Sequence, residues 1–267
     1  MHHKKPNRIQ HRPSAGTQAH SSVNYSRHLP VFEKREEIIA ALKQHQVIIV
    51  AGETGSGKTT QLPLMCIEAG RGNAGKIGCT QPRRIAAVSI ARFVASCMKT
   101  PVSETVGYKV RFHEKTGKNT IIQFMTDGIL LAEISENPEL DMYDTLIIDE
   151  AHERTCNIDF ILGYARMLLR RRPELKLIIS SATLDTDLFS QTFDHAPVLT
   201  VSGRLFPVDY TYKPAIEMWE GEGMRTSARA VISTVQEIFD RHESGDILAF
   251  LPTVRDIMET INGLAGP

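Results

Sequence analysis

The chain has 267 residues, 42% of them hydrophobic and 23% charged, and its 31 basic and 31 acidic side chains cancel to a formal net charge of zero. That length and composition suit an ordinary globular protein whose core needs no staple, and the charge balance argues against a coat of nucleic acid over the whole surface. No apolar stretch nears the ~20 residues needed to cross a bilayer and no signal-peptide core follows the N-terminus, while Cys66, Cys79, Cys97 and Cys156 lack zinc or redox spacing; we expect a soluble cytoplasmic protein whose cysteines are small apolar or half-buried residues of a reduced compartment.

Residues 1 to 30 contain five Lys or Arg, five His and no acid, with almost no apolar periodicity, so a disordered basic arm is expected over 1–29. A helical pattern follows over 32–45, with Ile38, Ile39 and Leu42 on one face. Next come an apolar strand over 47–51, a glycine-rich loop over 52–59, and a helix starting at Thr60 with Gln61, Leu62, Leu64, Met65 and Ile67. A strand over 76–81, a helix over 82–98, strands over 106–112 and 120–125, a helix over 127–136 and a strand over 145–149 continue the series. A helix over 158–172 closes at Pro173, and a strand over 175–181 follows. A helix over 225–241, a strand over 246–251 and one more helix complete the chain. Strands alternating with helices predict an α/β fold, a mostly parallel sheet covered by helices on both faces, with ligands at the carboxyl ends of its strands. The charge runs 33–37 and 170–172 read as solvated helix faces.

The glycine-rich loop reads GETGSGKT and matches G-x-x-x-x-G-K-[ST] without a gap, the pattern of a phosphate-binding loop between strand and helix. Gly52, Glu53, Thr54, Gly55, Ser56, Gly57, Lys58, Thr59 and Thr60 are therefore the candidate nucleotide-binding residues. The chemistry explains the spacing: successive backbone N–H groups converge on phosphate oxygens, and Gly52, Gly55 and Gly57 permit positive φ and close approach. Lys58 then reaches the β- and γ-phosphates, Thr59 ligates magnesium, and the helix N-terminus favours the anion.

A second constellation ends the strand over 145–149. Thr145, Leu146, Ile147 and Ile148 lead into Asp149, Glu150, Ala151 and His152. Adjacent carboxylates at the end of a buried strand call for a cation, because unpaired charge in low dielectric is costly. With a phosphate loop upstream, that cation is Mg2+, held by Thr59, Asp149 and Glu150. One carboxylate, Asp149, holds the metal while Glu150 orients and deprotonates the attacking water, so Glu150, Asp149 and Lys58 are the catalytic candidates.

Asp149-Glu-Ala-His152 spells the name of the DEAH-box helicases, and other motifs of that family stand in order. Residues 80–87, TQPRRIAA, resemble motif Ia; 126–131, TDGILL, motif Ib; 181–183, SAT, motif III; and 250–253, FLPT, motif IV. The stretches GYKVRF at 107–112 and NIDFILG at 157–163 are most similar to bacterial HrpA-type RNA helicases, and the resemblance runs from about Leu29 to Leu264. It implies a P-loop NTPase RecA-like domain over 30–203, then over 204–267 a linker and the incomplete start of a second RecA-like domain. It implies ATP and Mg2+ as cofactors, and single-stranded RNA as partner, gripped by its backbone through Arg84 and Thr126. It gives His152, Ser181 and Thr183 a coupling role, with His152 facing the partner domain. The basic arm is then either a solvated tail or a weak RNA contact, and Thr126 with Asp127, or Ser181 with Thr183, have capping or strand-end roles as the alternative.

Two departures from the family pattern matter. Relatives carry an adenine-stacking arginine in the helix after motif Ia, where this chain has Phe93 preceded by Arg92; nucleobase discrimination is expected to be weak. Motifs V and VI are missing, and motif VI supplies arginines worth roughly 10³ to 10⁵ in turnover. We therefore expect ATP binding with slow turnover, and no duplex unwinding unless a second chain supplies those motifs. The expected function is the ATP-binding and hydrolysing half of an ATP-dependent RNA helicase; a nucleotide-gated module that binds RNA or protein without motor activity is the alternative.

Overall fold

A computed structural model describes residues 25–182, 186–203, 208–213, 226–242 and 244–265. The arm residues 1–24 and Thr183 lie outside that set.

Apart from residues 113–115 and 198–201, the strands are buried along nearly their whole length because both faces of the sheet are covered. In chain order they are β1 (Val47–Gly52), β2 (Lys76–Gln81), β3 (Val106–Val110), β4 (His113–Lys115), β5 (Ile122–Thr126), β6 (Tyr143–Ile148), β7 (Lys176–Ser181) and β8 (Val198–Val201). They form one sheet in the order β4-β3-β5-β2-β6-β7-β1-β8, every neighbouring pair parallel except the β3–β4 hairpin. Side chains alternate along each strand, so Ile48, Val50, Ile147 and Ile178 enter one core and Ile49, Leu146, Ile148, Leu177 and Ile179 the other. The first core is roofed by α1 (Pro30–Glu33), α2 (Arg35–Gln44), α3 (Lys58–Glu68) and α4 (Arg84–Cys97), the second by α5 (Asp127–Glu136), α6 (Cys156–Arg171) and α7 (Thr186–Thr192).

Several sequence expectations shift by a few residues. The helix expected over 32–45 is broken at Lys34, which caps both α1 and α2. The helix expected from Thr60 begins at Lys58, with Gly57 as N-cap in the left-handed region at φ 93°. The hairpin strand β4, the short helix α7 and the edge strand β8 have no counterpart among the expected elements. Cys66 and Cys79 are buried and their thiols pushed up by desolvation, Cys97 is half-buried, but Cys156 is exposed.

The two charge runs are not simply solvated. Arg35 pairs with Glu68 (Nε to Oε2, 3.0 Å) beneath Tyr25, whose hydroxyl donates to the same oxygen at 2.6 Å and whose ring lies 5.3 Å from the guanidinium. Tyr25 to Leu29, assigned to the arm by charge pattern, therefore lie against α3. Arg172 donates to the carbonyls of Glu139 (2.9 Å), Leu140 (2.8 Å) and Tyr143 (3.0 Å), and its side chain is 13% exposed. Gln46 adds bonds to the carbonyls of Leu169 and Arg172 at 3.0 and 2.9 Å, so the end of α6 is tied both to the segment entering β6 and to the start of β1.

Residues Phe206–Pro267 form a second compact unit. Within it α8 (Thr226–Asp240) packs on α9 (Val254–Leu264), and the buried Asp256 accepts from Ser227 Oγ at 3.0 Å. The strand expected over 246–251 is not formed: that segment has no regular structure, and Leu248 and Phe250 are 80% and 87% exposed. A strand exists only through the ladder of a neighbour, and none of the described residues of this unit offers an edge.

Arg172→Met should remove three carbonyl partners at once and cost on the order of 2 kcal/mol. Urea unfolding that shows no loss would contradict the bracing role.

Candidate functional site

Strand β1 delivers the phosphate loop to the carboxyl edge of the sheet. Gly55 and Gly57 have positive φ, 86° and 93°, as the motif requires. Gly52 does not; it continues β1, and its missing side chain serves a different purpose, because a Cβ there would stand 2.7 Å from the carbonyl oxygen of Val201 in β8. Glu53, Thr54 and Gly55 are exposed, and the N–H groups of Gly55 and Gly57 have no acceptor among the described residues. Such aligned, unpartnered donors at a helix N-terminus are what an anionic phosphate requires. Ser56 is buried, its Oγ donating to Glu53 O at 2.7 Å while its own carbonyl accepts from Val31 N at 3.0 Å.

Lys58 is 7% exposed and lies inside the loop. Its ammonium donates to Gly52 O (2.5 Å), Glu53 O (3.0 Å) and Ser56 Oγ (3.2 Å). Burial pulls its pKa down, and the negative charges of Asp149, Glu150 and Glu53 resist the fall. Thr60 Oγ1 donates to Gly57 O at 3.2 Å, closing the first turn.

Asp149 emerges from β6 directly behind the loop, 2% exposed. Its Oδ2 accepts from Thr59 Oγ1 at 2.5 Å and from Gln81 Nε2 at 2.6 Å, and its Oδ1 from Glu150 N at 3.0 Å. Sequence reasoning placed Thr59 and Asp149 at one site but missed Gln81; a polar side chain ending the apolar strand 76–81 was the available signal. Glu150 sits in the left-handed region at φ 53° and ψ 36°, a conformation costing a non-glycine residue about 1–3 kcal/mol and typical of working sites. Its carboxyl is held above the ordinary range by burial first and by Asp149 next, opposed by His152 and Lys58. A carboxylate raised in this way makes a better proton acceptor than a free one.

His152 lies in a 3₁₀ turn, Ala151–Glu153. Its Nδ1 accepts from Ala182 N at 3.2 Å, so the turn after Asp149 is bonded to the chain leaving β7. Ser181 is fully buried at the end of β7, in register with Ala51. Thr126 occupies the N-cap position of α5 without a side-chain capping bond, so the capping alternative is not realised by its hydroxyl. It is in register with Gln81 across β2 and β5. Arg84 opens α4 and is exposed together with Arg83 and Ile85; further along α4, Arg92 and Phe93 are exposed too.

The sequence model of the DEAD/DEAH box helicase family matches residues 33–190. The chain belongs to that family. It is 50% identical over 246 residues to the ATP-dependent RNA helicase HrpA of Escherichia coli (strain K12), covering 92% of this chain and 19% of that protein. The HrpA homolog of Haemophilus influenzae is 49% identical over 258 residues, covering 96% of this chain and 19% of that protein. The crystal structure of the Escherichia coli DEAH/RHA helicase HrpB superposes with a TM-score of 0.78 at 36% identity, over 89% of this chain and 29% of that one. The chain thus spans about a fifth of the length of these two curated relatives. The α/β fold expected from the alternating pattern is the RecA-like fold of a DEAD/DEAH box helicase, and among the described residues no helix is long and apolar enough to cross a membrane.

One buried acid of this helicase domain stands apart from the loop. Asp127 is 4% exposed, and its Oδ1 and the hydroxyl of Thr80 are both buried without a hydrogen-bond partner. Burial pushes its carboxyl up to about 6 from 3.8; the nearby Thr80 hydroxyl opposes the rise without completing a bond, and Glu153 and Asp149 add to it. Because the folded-state value lies above the unfolded one, the fold binds the proton more tightly, and stability falls as pH rises from about 4 through about 6. Asp127→Asn should therefore stabilise the domain at pH 8 by on the order of 1–2 kcal/mol after screening and change little at pH 4. Equal effects at the two pH values in urea unfolding would refute this.

Proposed function

We propose that this chain carries the ATP-binding and ATP-hydrolysing half of an ATP-dependent RNA helicase, as its relatives are named. The observation that carries the reading is the three-way junction at Asp149, whose carboxylate joins the phosphate-loop threonine, the motif Ia strand and the amide of the adjoining glutamate. In this reading Gly52 to Thr60 cradle the triphosphate, with Lys58 neutralising charge at the β- and γ-phosphates.

The donors at the site suit magnesium. Thr59 Oγ1 and the Asp149 carboxylate are hard oxygens 2.5 Å apart, and a magnesium site uses one or two carboxylates, waters and substrate phosphate rather than a full protein cage. Thr59 and Asp149 would hold the ion, with Glu150 beside it, and the ion would supply positive charge against the phosphates. Glu150 accepts the proton of the attacking water; its raised pKa follows from burial beside Asp149. Arg84 and Thr126 contact the backbone of single-stranded RNA, and His152, Ser181 and Thr183 pass the nucleotide state across the domain. The site works in the cytoplasm, facing a second RecA-like domain that brings motifs V and VI, in the same polypeptide or in a partner.

Lys58→Ala should weaken ATP binding at least about tenfold, the loss of one charge-assisted contact of roughly 1.5–3 kcal/mol. Glu150→Gln should retain binding within about twofold while losing hydrolysis by the roughly 10²–10⁴-fold that general-base catalysis contributes. Calorimetry and steady-state turnover decide between them; equal loss of binding in both variants would remove the division of labour.

Hydrolysis that rises with single-stranded RNA and disappears in Glu150→Gln is the expected signature of the helicase reading. Measurable binding of nucleotide and RNA with no turnover even when motifs V and VI are supplied would instead support a gated binding module.

A further inference from the structure

The carboxyl edge of the sheet sets one residue between two functions. Strand β2 lies between β5 and β6. On one side Gln81 is in register with Thr126. On the other, Thr80 pairs with Ile148, so Gln81 stands one step beyond that pair, level with Asp149, and its amide closes on Asp149 Oδ2 at 2.6 Å. Three residues further along the chain, Arg84 begins α4. Gln81 is 3% exposed and Asp149 2%, so this bond is shielded from water and neither group has solvent as a ready substitute.

From this placement we infer that Gln81 is the positioning residue through which nucleotide at Asp149 and RNA at Arg84 and Thr126 influence each other's binding. The inference rests on the functional reading above. Asp149 Oδ2 already serves two donors, Gln81 and Thr59. Any change in the charge or partners of that oxygen when nucleotide arrives must strengthen, weaken or redirect the Gln81 amide, since hydrogen bonds to an ionised acceptor scale with its charge. The amide is joined through one side chain to the backbone that leads by Pro82 and Arg83 into Arg84. The segment 82–84 is thereby offered two positions, one with the bond made and one with it relaxed. By linkage, RNA that prefers one of those positions changes nucleotide affinity by the same factor. The bond from Ala182 N to His152 Nδ1 runs on the other side of Asp149 toward β7 and does not touch β2.

The test is the ratio of affinities rather than any one affinity. Fluorescence anisotropy of a labelled single-stranded RNA is measured on the intact chain with and without a non-hydrolysable ATP analogue and magnesium, and analogue binding is measured with and without the RNA. Wild type should show the same change in both directions, of about fivefold or more, the lower end of ordinary coupling between sites. Gln81→Met, close in shape and without the donor, should bring the ratio to within about twofold of one. Gln81→Asn, whose amide stops one methylene short of the carboxylate, is measured beside it and should do the same; thermal melting certifies that each variant folds. A merely structural role would lower both affinities and leave the ratio standing. A wild-type ratio retained in both variants, or a wild type that binds both ligands with no ratio, overturns the inference while the functional reading survives. A wild type that binds neither nucleotide nor RNA overturns both.

Discussion

A buried carboxylate needs donors, and the donors that Asp149 finds fix the geometry of everything around it. A carboxyl group at 2% exposure is tolerable only when its polar atoms are engaged. Thr59 brings the start of α3, Gln81 the end of β2 and Glu150 N the turn that follows β6. Those three segments are far apart in the chain and converge because parallel strands put all their carboxyl ends at one edge. The sheet order places β2, β6, β7 and β1 side by side, so the loop after β1 and the turn after β6 face each other across β7.

Around this junction the domain spends stability on poise. Lys58 is held in the loop with its charge partly stripped of water, Glu150 adopts a left-handed conformation, and Asp127 keeps a buried oxygen without a partner. These costs are carried by rigid surroundings: two apolar cores on opposite faces of the sheet, and at the opposite edge a set of side chains that lock loops to helices. Arg172 and Gln46 are of that kind: Gln46 donates to two carbonyls at the end of α6, and Arg172 to three in the segment that enters β6.

How much of this was legible depended on whether the cause was local. The buried strands announced themselves as continuous apolar runs, and the phosphate loop as a contiguous motif whose glycines at Gly55 and Gly57 adopt the φ their type suggests. Strand β8 was not readable, because it is an edge strand of four residues with alternate side chains exposed, and the strand at 246–251 was over-read, because β propensity without a neighbour makes no ladder. Gln81 was not legible for a related reason: its bond to Asp149 spans 68 positions through the pairing of β2 with β6, which no local window contains. Arg35 and Arg172 looked like surface charge since a run of charges does not reveal that one member turns inward to meet carbonyls or a half-buried glutamate.

The contact between Gly52 and Val201 carries a mechanical meaning. Val201 is the last residue of β8, and the chain passes through Ser202 to Gly203, where an added side chain would collide with Glu53. The outgoing polypeptide is thus packed against the first two residues of the phosphate loop, through backbone at Gly52 and through the side chain of Glu53 at Gly203. Tension applied to that departing strand would be delivered first at Gly52, where backbone meets backbone, much as a taut cable moves the lever it lies against.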